Sequence, residues 1–256
     1  MNTTEPEPTD QGAPQRSRTS AATANGPHIF GGVTGPEPAA TRVDQVYDAI
    51  RSDLLTSRYG PGDWVKVSDL QKEFTTSLSV VREALSRLSA EQLLTYVPQR
   101  GFHVPDLSMD ELQELTDARI KIEVLVLRDS LEFGGPQWQT ALLRAHDVLA
   151  GTPLVLTEDT PRLNPQWVLV HAQFHDALLA GCPNRRLLSI ATTLRDTAEL
   201  HRTRTPAPLK TIRSVAEEHE KLVQLAVEPD IEACAELLAA HIGQTHSAID
   251  RYNRRR

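Results

Sequence analysis

Residues 67–104 read VSDLQKEFTTSLSVVREALSRLSAEQLLTYVPQRGFHV, and the period of the apolar residues changes within that stretch. Val67, Leu70 and Phe74 recur at helical spacing, and Thr75-Thr76-Ser77 then forms a polar break with capping chemistry. In the helix that follows, Val81, Leu85, Leu88 and Leu93 or Leu94 form an apolar stripe, with Ser79, Arg82, Ser86 and Arg87 off it. That free face can carry short polar and basic groups into a groove. After Gln92 the pattern Leu-Leu-Thr-Tyr-Val, the turn Pro98-Gln99-Arg100-Gly101 and Phe-His-Val shift the period to that of a two-stranded ribbon. Helix, turn, helix and ribbon in this order imply a winged helix-turn-helix, an arrangement suited to reading DNA.

Upstream, Thr41 can cap a helix carrying Val43, Val46, Ile50, Leu54 and Leu55, which stops at Tyr59-Gly60-Pro61-Gly62; Trp64 and Val65 read as a short extended link. Residues 41–104 thus predict three helices plus a two-stranded wing. Residues 105–108 form a linker, and Ser108 with Glu111 makes a capping box for the next helix. Helices are expected at 109–133, 137–150, 165–180, 184–203, 209–227 and 230–252, with Asn184 as an N-cap. No run of alternating strand residues separates them, so residues 109–252 predict an all-α bundle of six or seven helices and the whole chain is mainly α. Residues 1–40 hold 6 of the 17 prolines and 5 of the 13 glycines and read as a disordered tail. Residues 253–256 read as a basic tail, either solvated or touching phosphate.

A 256-residue chain with 39% apolar and 24% charged residues is ordinary for two globular domains. No apolar run reaches the roughly 18 residues that cross a bilayer, and the expected location is the cytoplasm, with no membrane partner. Cys182 and Cys234 lack framework spacing and read as reduced structural thiols. The net charge of -7 argues against nucleic-acid binding until it is divided. Residues 1–40 contribute -2, residues 41–104 contribute 0 and residues 105–256 contribute -5. Phosphate affinity therefore requires a one-sided arrangement of the eight basic residues within 41–104, and a single copy would bind weakly.

Arg82-Glu83-Ala84-Leu85 with Leu88 and Leu93, the wing Arg100-Gly101-Phe102-His103-Val104 and the upstream Tyr59-Gly60-Pro61-Gly62-Asp63 resemble the GntR family of bacterial transcription regulators. The helical part resembles that family's FCD subgroup, so the resemblance covers about residues 41–252. It implies a homodimer that binds a palindromic operator in double-stranded DNA, most often as a repressor, under the control of a small carboxylate-bearing metabolite. Carried over by motif, Arg51 would hold phosphate, Ser79, Val81 and Arg82 would lie at the groove, and Arg100 with Gly101 at the wing. The chain departs from the family's Ser-Arg-Thr-Pro-Val-Arg, having Ser77-Leu78-Ser79-Val80-Val81-Arg82. Leu78 then reads a thymine methyl, or is a buried anchor, or is neutral drift. Arg82 has the alternative of a surface salt bridge with Glu83 or Glu91.

His171 and His175 are four apart on one predicted helix, and His219 and His241 lie on the apolar faces of the last two. Three helices thus offer four imidazoles to one interior, a divalent-metal constellation. In many FCD domains the position of His171 is an aspartate, so the resemblance implies the other three as ligands. Four neutral imidazoles leave both charges of the ion in place and favour zinc, with nickel, copper or iron as alternatives, over magnesium or calcium. Arg119 with Glu123 matches the family's Arg-x-x-x-Glu, and Arg119, Arg195 and Arg213 are candidates for the effector's carboxylate; Arg119 could equally be an intrahelical partner of Glu123. Three other readings stay open: a metal-dependent hydrolase, a winged-helix protein-interaction module, and metal-free anion binding by protonated histidines near pH ~6. His171-Ala-Gln-Phe-His175 lacks the Glu that a metalloprotease helix places beside its first His.

Overall fold

Two capping boxes open the two halves of the molecule. Thr41 and Asp44 cap α1 (Arg42–Leu55), with the Asp44 N–H donating to Thr41 Oγ1 at 3.2 Å and the Thr41 N–H donating back to Asp44 Oδ2 at 3.0 Å. Ser108 and Glu111 do the same for α4 (Met109–Phe133). The structure, a computed structural model, describes residues 40–106, 108–156, 163–202, 209–228 and 230–253. The expected tail, as residues 1–39, and the terminal arginines 254–256 lie outside the described residues.

After α1 come β1 (Trp64–Val65), α2 (Val67–Glu73), α3 (Leu78–Ala90), β2 (Thr95–Val97) and β3 (Gly101–His103). The wing is a three-stranded antiparallel sheet in the order β1-β3-β2, with Trp64 opposite His103 and Tyr96 opposite Phe102. Trp64 and Val65 were expected as a link, and their pairing corrects the two-stranded wing. The Gly60–Asp63 turn lays them along the free edge of β3: the Gly62 N–H donates to Val104 O and the Val104 N–H to Asp63 O. Two residues are too few to show alternation, so their period could not be read. Gly101 sits at φ +103°, a left-handed backbone that favours glycine.

The second half continues with α5 (Pro136–Ala150), α6 (Pro165–Leu179), α7 (Arg185–Arg202), α8 (Leu209–Val227) and α9 (Ile231–Asn253). Asn184 Oδ1 accepts from the N–H groups of Arg186 and Leu187, as an N-cap does. Helix α4 packs along α7 and α9, and α5 along α6 and α8, around Val126, Leu127, Leu142, Phe174, Leu178, Leu222 and Leu238. The winged helix core, built from Ile50, Leu54, Leu85, Leu88 and Phe102, also takes in Val168 of α6 and Leu200 of α7. The two halves therefore share a dry contact, and the short linker is not their only connection.

Gly181 follows α6 because the chain passes very close to α4 there. A Cβ at Gly181 would lie 2.6 Å from the Ser130 carbonyl oxygen, while Ser130 Oγ donates to Leu179 O at 2.5 Å. Gly181→Ala should lower unfolding stability by about 1–3 kcal/mol through this overpacking. Urea denaturation would read it, and an unchanged midpoint would contradict the close approach.

Candidate metal centre and nucleic-acid interface

Helix α6 places His171 and His175 one turn apart, α8 supplies His219 and α9 supplies His241, all of them buried. One ring nitrogen or the other from each of the four lies within 4.8 Å of the rest, and His171 Nε2 and His175 Nε2 are 3.2 Å apart. Trp167 stacks on His171 with centroids 4.4 Å apart, and Phe174 lies 5.0 Å from the His219 ring. Burial, and after it the neighbouring imidazoles, push His171 and His175 well below the usual histidine range, and His219 down to about 2. Burial therefore favours the neutral form of these three rings, which leaves a lone pair on each available to a cation. Burial opposes a proton on these three rings, which weighs against anion binding by protonated histidines near pH ~6.

The donor set fits a divalent ion. His219 Nε2 and His175 Nδ1 are buried without a hydrogen-bond partner, a loss of about 1–3 kcal/mol for each such group. Lone pairs converging from four neutral rings are uncomfortable with one another and suited to a positive charge. His241 Nδ1–H donates to Glu218 Oε2 at 2.7 Å, the carboxylate-to-imidazole contact that fixes a ligand ring's tautomer and raises its basicity. Glu218 was not expected here. Its helical position turns it away from the face of His219, and only the packing of α8 on α9 shows that it reaches His241.

Beside His175 lies a group of buried charges. Arg119 Nε donates to Glu123 Oε1 at 2.7 Å, and both residues are buried, so the intrahelical alternative holds for Arg119. Arg195 is 3% exposed and pairs with Asp176, while its Nε and Nη1 have no partner, nor has Glu123 Oε2. After burial and the neighbouring imidazoles, the charges of Arg195 and Arg119 also oppose a proton on His175. The side chain of Arg213 lies outside the described residues. A separate cavity of 230 Å³ reaches the cluster at His219 and is lined by His146, Leu149, Pro153, Leu154 and Trp167, with neither Arg119 nor Arg195 on its wall.

In the winged helix, Arg82 is exposed and makes no ion pair among the described residues, so neither Glu83 nor Glu91 holds it; Glu91 accepts instead from Tyr47 OH at 2.5 Å. Ser79 is exposed and its hydroxyl lies 2.9 Å from that of Ser77. Val81 is fully buried in the winged helix core, which corrects its expected place at the groove. Its position in the apolar stripe decides the matter, since one residue cannot face both core and solvent. Leu78 is 45% exposed, so it is not a buried anchor. Arg100 lies over the Trp64 ring at 4.5 Å, beside Gly101 at the wing's turn. Arg51 Nε donates to Asp196 Oδ2 of α7 at 2.7 Å, so in this structure its guanidinium is held by the helical half. Arg58 pairs with Asp53 and Glu73, and Arg87 with Asp44. Arg42, Lys66, Lys72, Arg82 and Arg100 remain without an ion pair among the described residues, Arg42 donating instead to Gln45 Oε1 and the Phe74 carbonyl oxygen.

Comparison with known proteins gives the class. Residues 42–104 match the family model "Bacterial regulatory proteins, gntR family", and residues 114–244 match the FCD domain model. The chain belongs to the GntR family of DNA-binding transcription regulators, with an FCD effector domain. It is 30% identical over 210 residues to an uncharacterized HTH-type transcriptional regulator, BphR, of Paraburkholderia xenovorans strain LB400, covering 82% of this chain and 86% of that protein. It is 28% identical over 200 residues to the HTH-type transcriptional repressor GlaR of Escherichia coli K12, covering 77% and 90%. The solved structure of E. coli McbR/YncC shares the fold with a TM-score of 0.69 at 22% identity, covering 82% of this chain and 98% of that one. These relatives are regulators, which sets the hydrolase reading aside. No helix among the described residues is long and apolar enough to cross a membrane.

The contact between Glu218 and His241 gives a direct test of the centre. Glu218→Gln should weaken zinc binding about 10- to 100-fold, and the double variant His219→Ala/His241→Ala should lose stoichiometric metal. Chelator competition followed by metal analysis reads both. Wild-type zinc affinity in the double variant would rule the four rings out as ligands.

Proposed function

We propose that the protein is a repressor that binds a palindromic operator as a homodimer and lets it go when a small carboxylate-bearing metabolite binds beside a metal ion. His171, His175, His219 and His241 would hold the ion, with zinc favoured and nickel or iron as alternatives. When bound, the ion would supply a Lewis-acidic positive charge for an anionic effector. The single observation that carries this reading is the convergence of four buried imidazoles, with the buried Arg195, whose charge acts on His175, keeping its Nε and Nη1 groups without a hydrogen-bond partner. A carboxylate is the anion that a guanidinium with free N–H groups binds best in geometry and charge. Arg119 would set the same field from α4, through its pair with Glu123.

Dimerisation is supported by the small number of basic groups left for DNA in one copy, since each phosphate contact adds only one step of salt-sensitive affinity. Exposed Leu125, Phe133, Leu143 and Ile190 on the bundle helices also supply apolar surface for a second copy. Repression follows the name of GlaR, described as a repressor. At the operator, α3 would enter the major groove with Ser79 and Arg82, and Arg100 with Gly101 would approach the flanking backbone. Arg51 would act at one remove, by fixing the DNA-reading half on α7, and the effector would work by shifting the population of that arrangement.

Arg82→Ala should lose at least about 1–3 kcal/mol of operator affinity with an unchanged thermal transition. A gel shift with undiminished affinity would defeat the role of α3. Arg195→Ala in the zinc-loaded protein should weaken or remove the calorimetric binding of every small carboxylate that the wild type binds, while zinc content stays at the wild-type level. Unaltered carboxylate affinity would place the effector elsewhere.

A further inference from the structure

We propose that Leu78 is a base-reading residue, whose side chain packs on the C5-methyl group of a thymine in each operator half-site. Leu78 is the first residue of α3, directly after the cap Ser77, whose Oγ accepts from the Val80 N–H at 3.4 Å. Its side chain is 45% exposed, although every other leucine of α3 is fully buried. Among the described residues of the winged helix, the only other exposed large apolar side chain is Tyr96, and its ring packs on Phe102 with centroids 5.1 Å apart. Leu78 is neither in the winged helix core nor among the partly buried side chains packed on it.

The surroundings say what it meets. Ser77, Ser79 and Arg82 flank Leu78, Arg82 lies one turn on, on the same helical face, and it has no ion-pair partner among the described residues. A protein surface would ask for a continuous apolar patch, whereas one leucine among hydroxyls and a free guanidinium suits a polyanion with a single apolar feature. The major groove offers one such feature, the thymine methyl, and the first residues of a recognition helix are the ones that reach base edges. Leucine has no donor or acceptor on its side chain, so it can distinguish bases only by that methyl. The inference rests on α3 entering the groove, which Arg82→Ala tests separately.

The test starts by selecting binding sites for the full-length protein from a random duplex library, and for its Leu78→Ala, Leu78→Met and Leu78→Arg variants. Each invariant thymine of the wild-type site is then replaced by uracil, which removes the methyl and nothing else. The expected result is a loss of about fourfold in affinity per half-site at one thymine, the value of one buried methyl-sized group. Leu78→Met should keep that sensitivity, Leu78→Ala should lose it, and Leu78→Arg should exchange the thymine for guanine. A wild-type affinity indifferent to uracil at every position would overturn the proposal, as would an unaltered base preference in Leu78→Ala. If Arg82→Ala binds as tightly as wild type, the failure lies with α3 as the reading helix and not with Leu78.

Discussion

The helical half of this molecule is built around the gathering of four imidazoles into one buried cluster. His171, His175, His219 and His241 come from three helices, so α6, α8 and α9 must keep their faces in register for the nitrogens to converge within 4.8 Å. Burial opposes the protons on His171, His175 and His219 that would otherwise drive the rings apart. Trp167 and Phe174 close the surroundings with apolar surface, and Glu218 reaches across from α8 to tether His241. His219 Nε2 and His175 Nδ1, left without a partner, each cost about 1–3 kcal/mol, a cost that a cation among the rings would offset.

Helix α7 connects that interior to the DNA-reading half. Two consecutive residues face different tasks: Arg195 pairs with Asp176 and stands beside His175, whereas Asp196 holds Arg51 of α1. Burial pushes the Asp196 carboxyl up against the opposing pull of Arg51 and Arg195, so the contact is sensitive to anything that changes the local charge. Val168 and Leu200, packed into the winged helix core, make the same junction rigid. An anion taken up at Arg195 would therefore act one residue away from the contact that orients α1. This is a shorter route than movement of α4 through the linker at residues 105–108.

The parts of the fold that depend on local chemistry were legible in the sequence. Thr41, Ser108 with Glu111 and Asn184 announced helix starts that the structure contains, and the spacing of the four histidines announced their meeting. What could not be read depends on packing between distant segments. Trp64 and Val65 carry no period of their own, and they become a strand only because the turn before them lays them on β3. Val81 was assigned to the groove by motif although the apolar stripe placed it inside, and the stripe was the better physical guide. Arg51 and Glu218 find their partners 145 and 23 residues away, in contacts that no local pattern encodes.

The most direct test of coupling through α7 is the operator affinity of the zinc-loaded protein during a carboxylate titration, measured side by side for wild type and Asp196→Asn. The coupling predicts that operator affinity falls as the wild type fills with a carboxylate, and that Asp196→Asn still binds that carboxylate while its operator affinity responds much less. Equal responses in the two proteins, or a wild type that fills without any change in operator affinity, would contradict it.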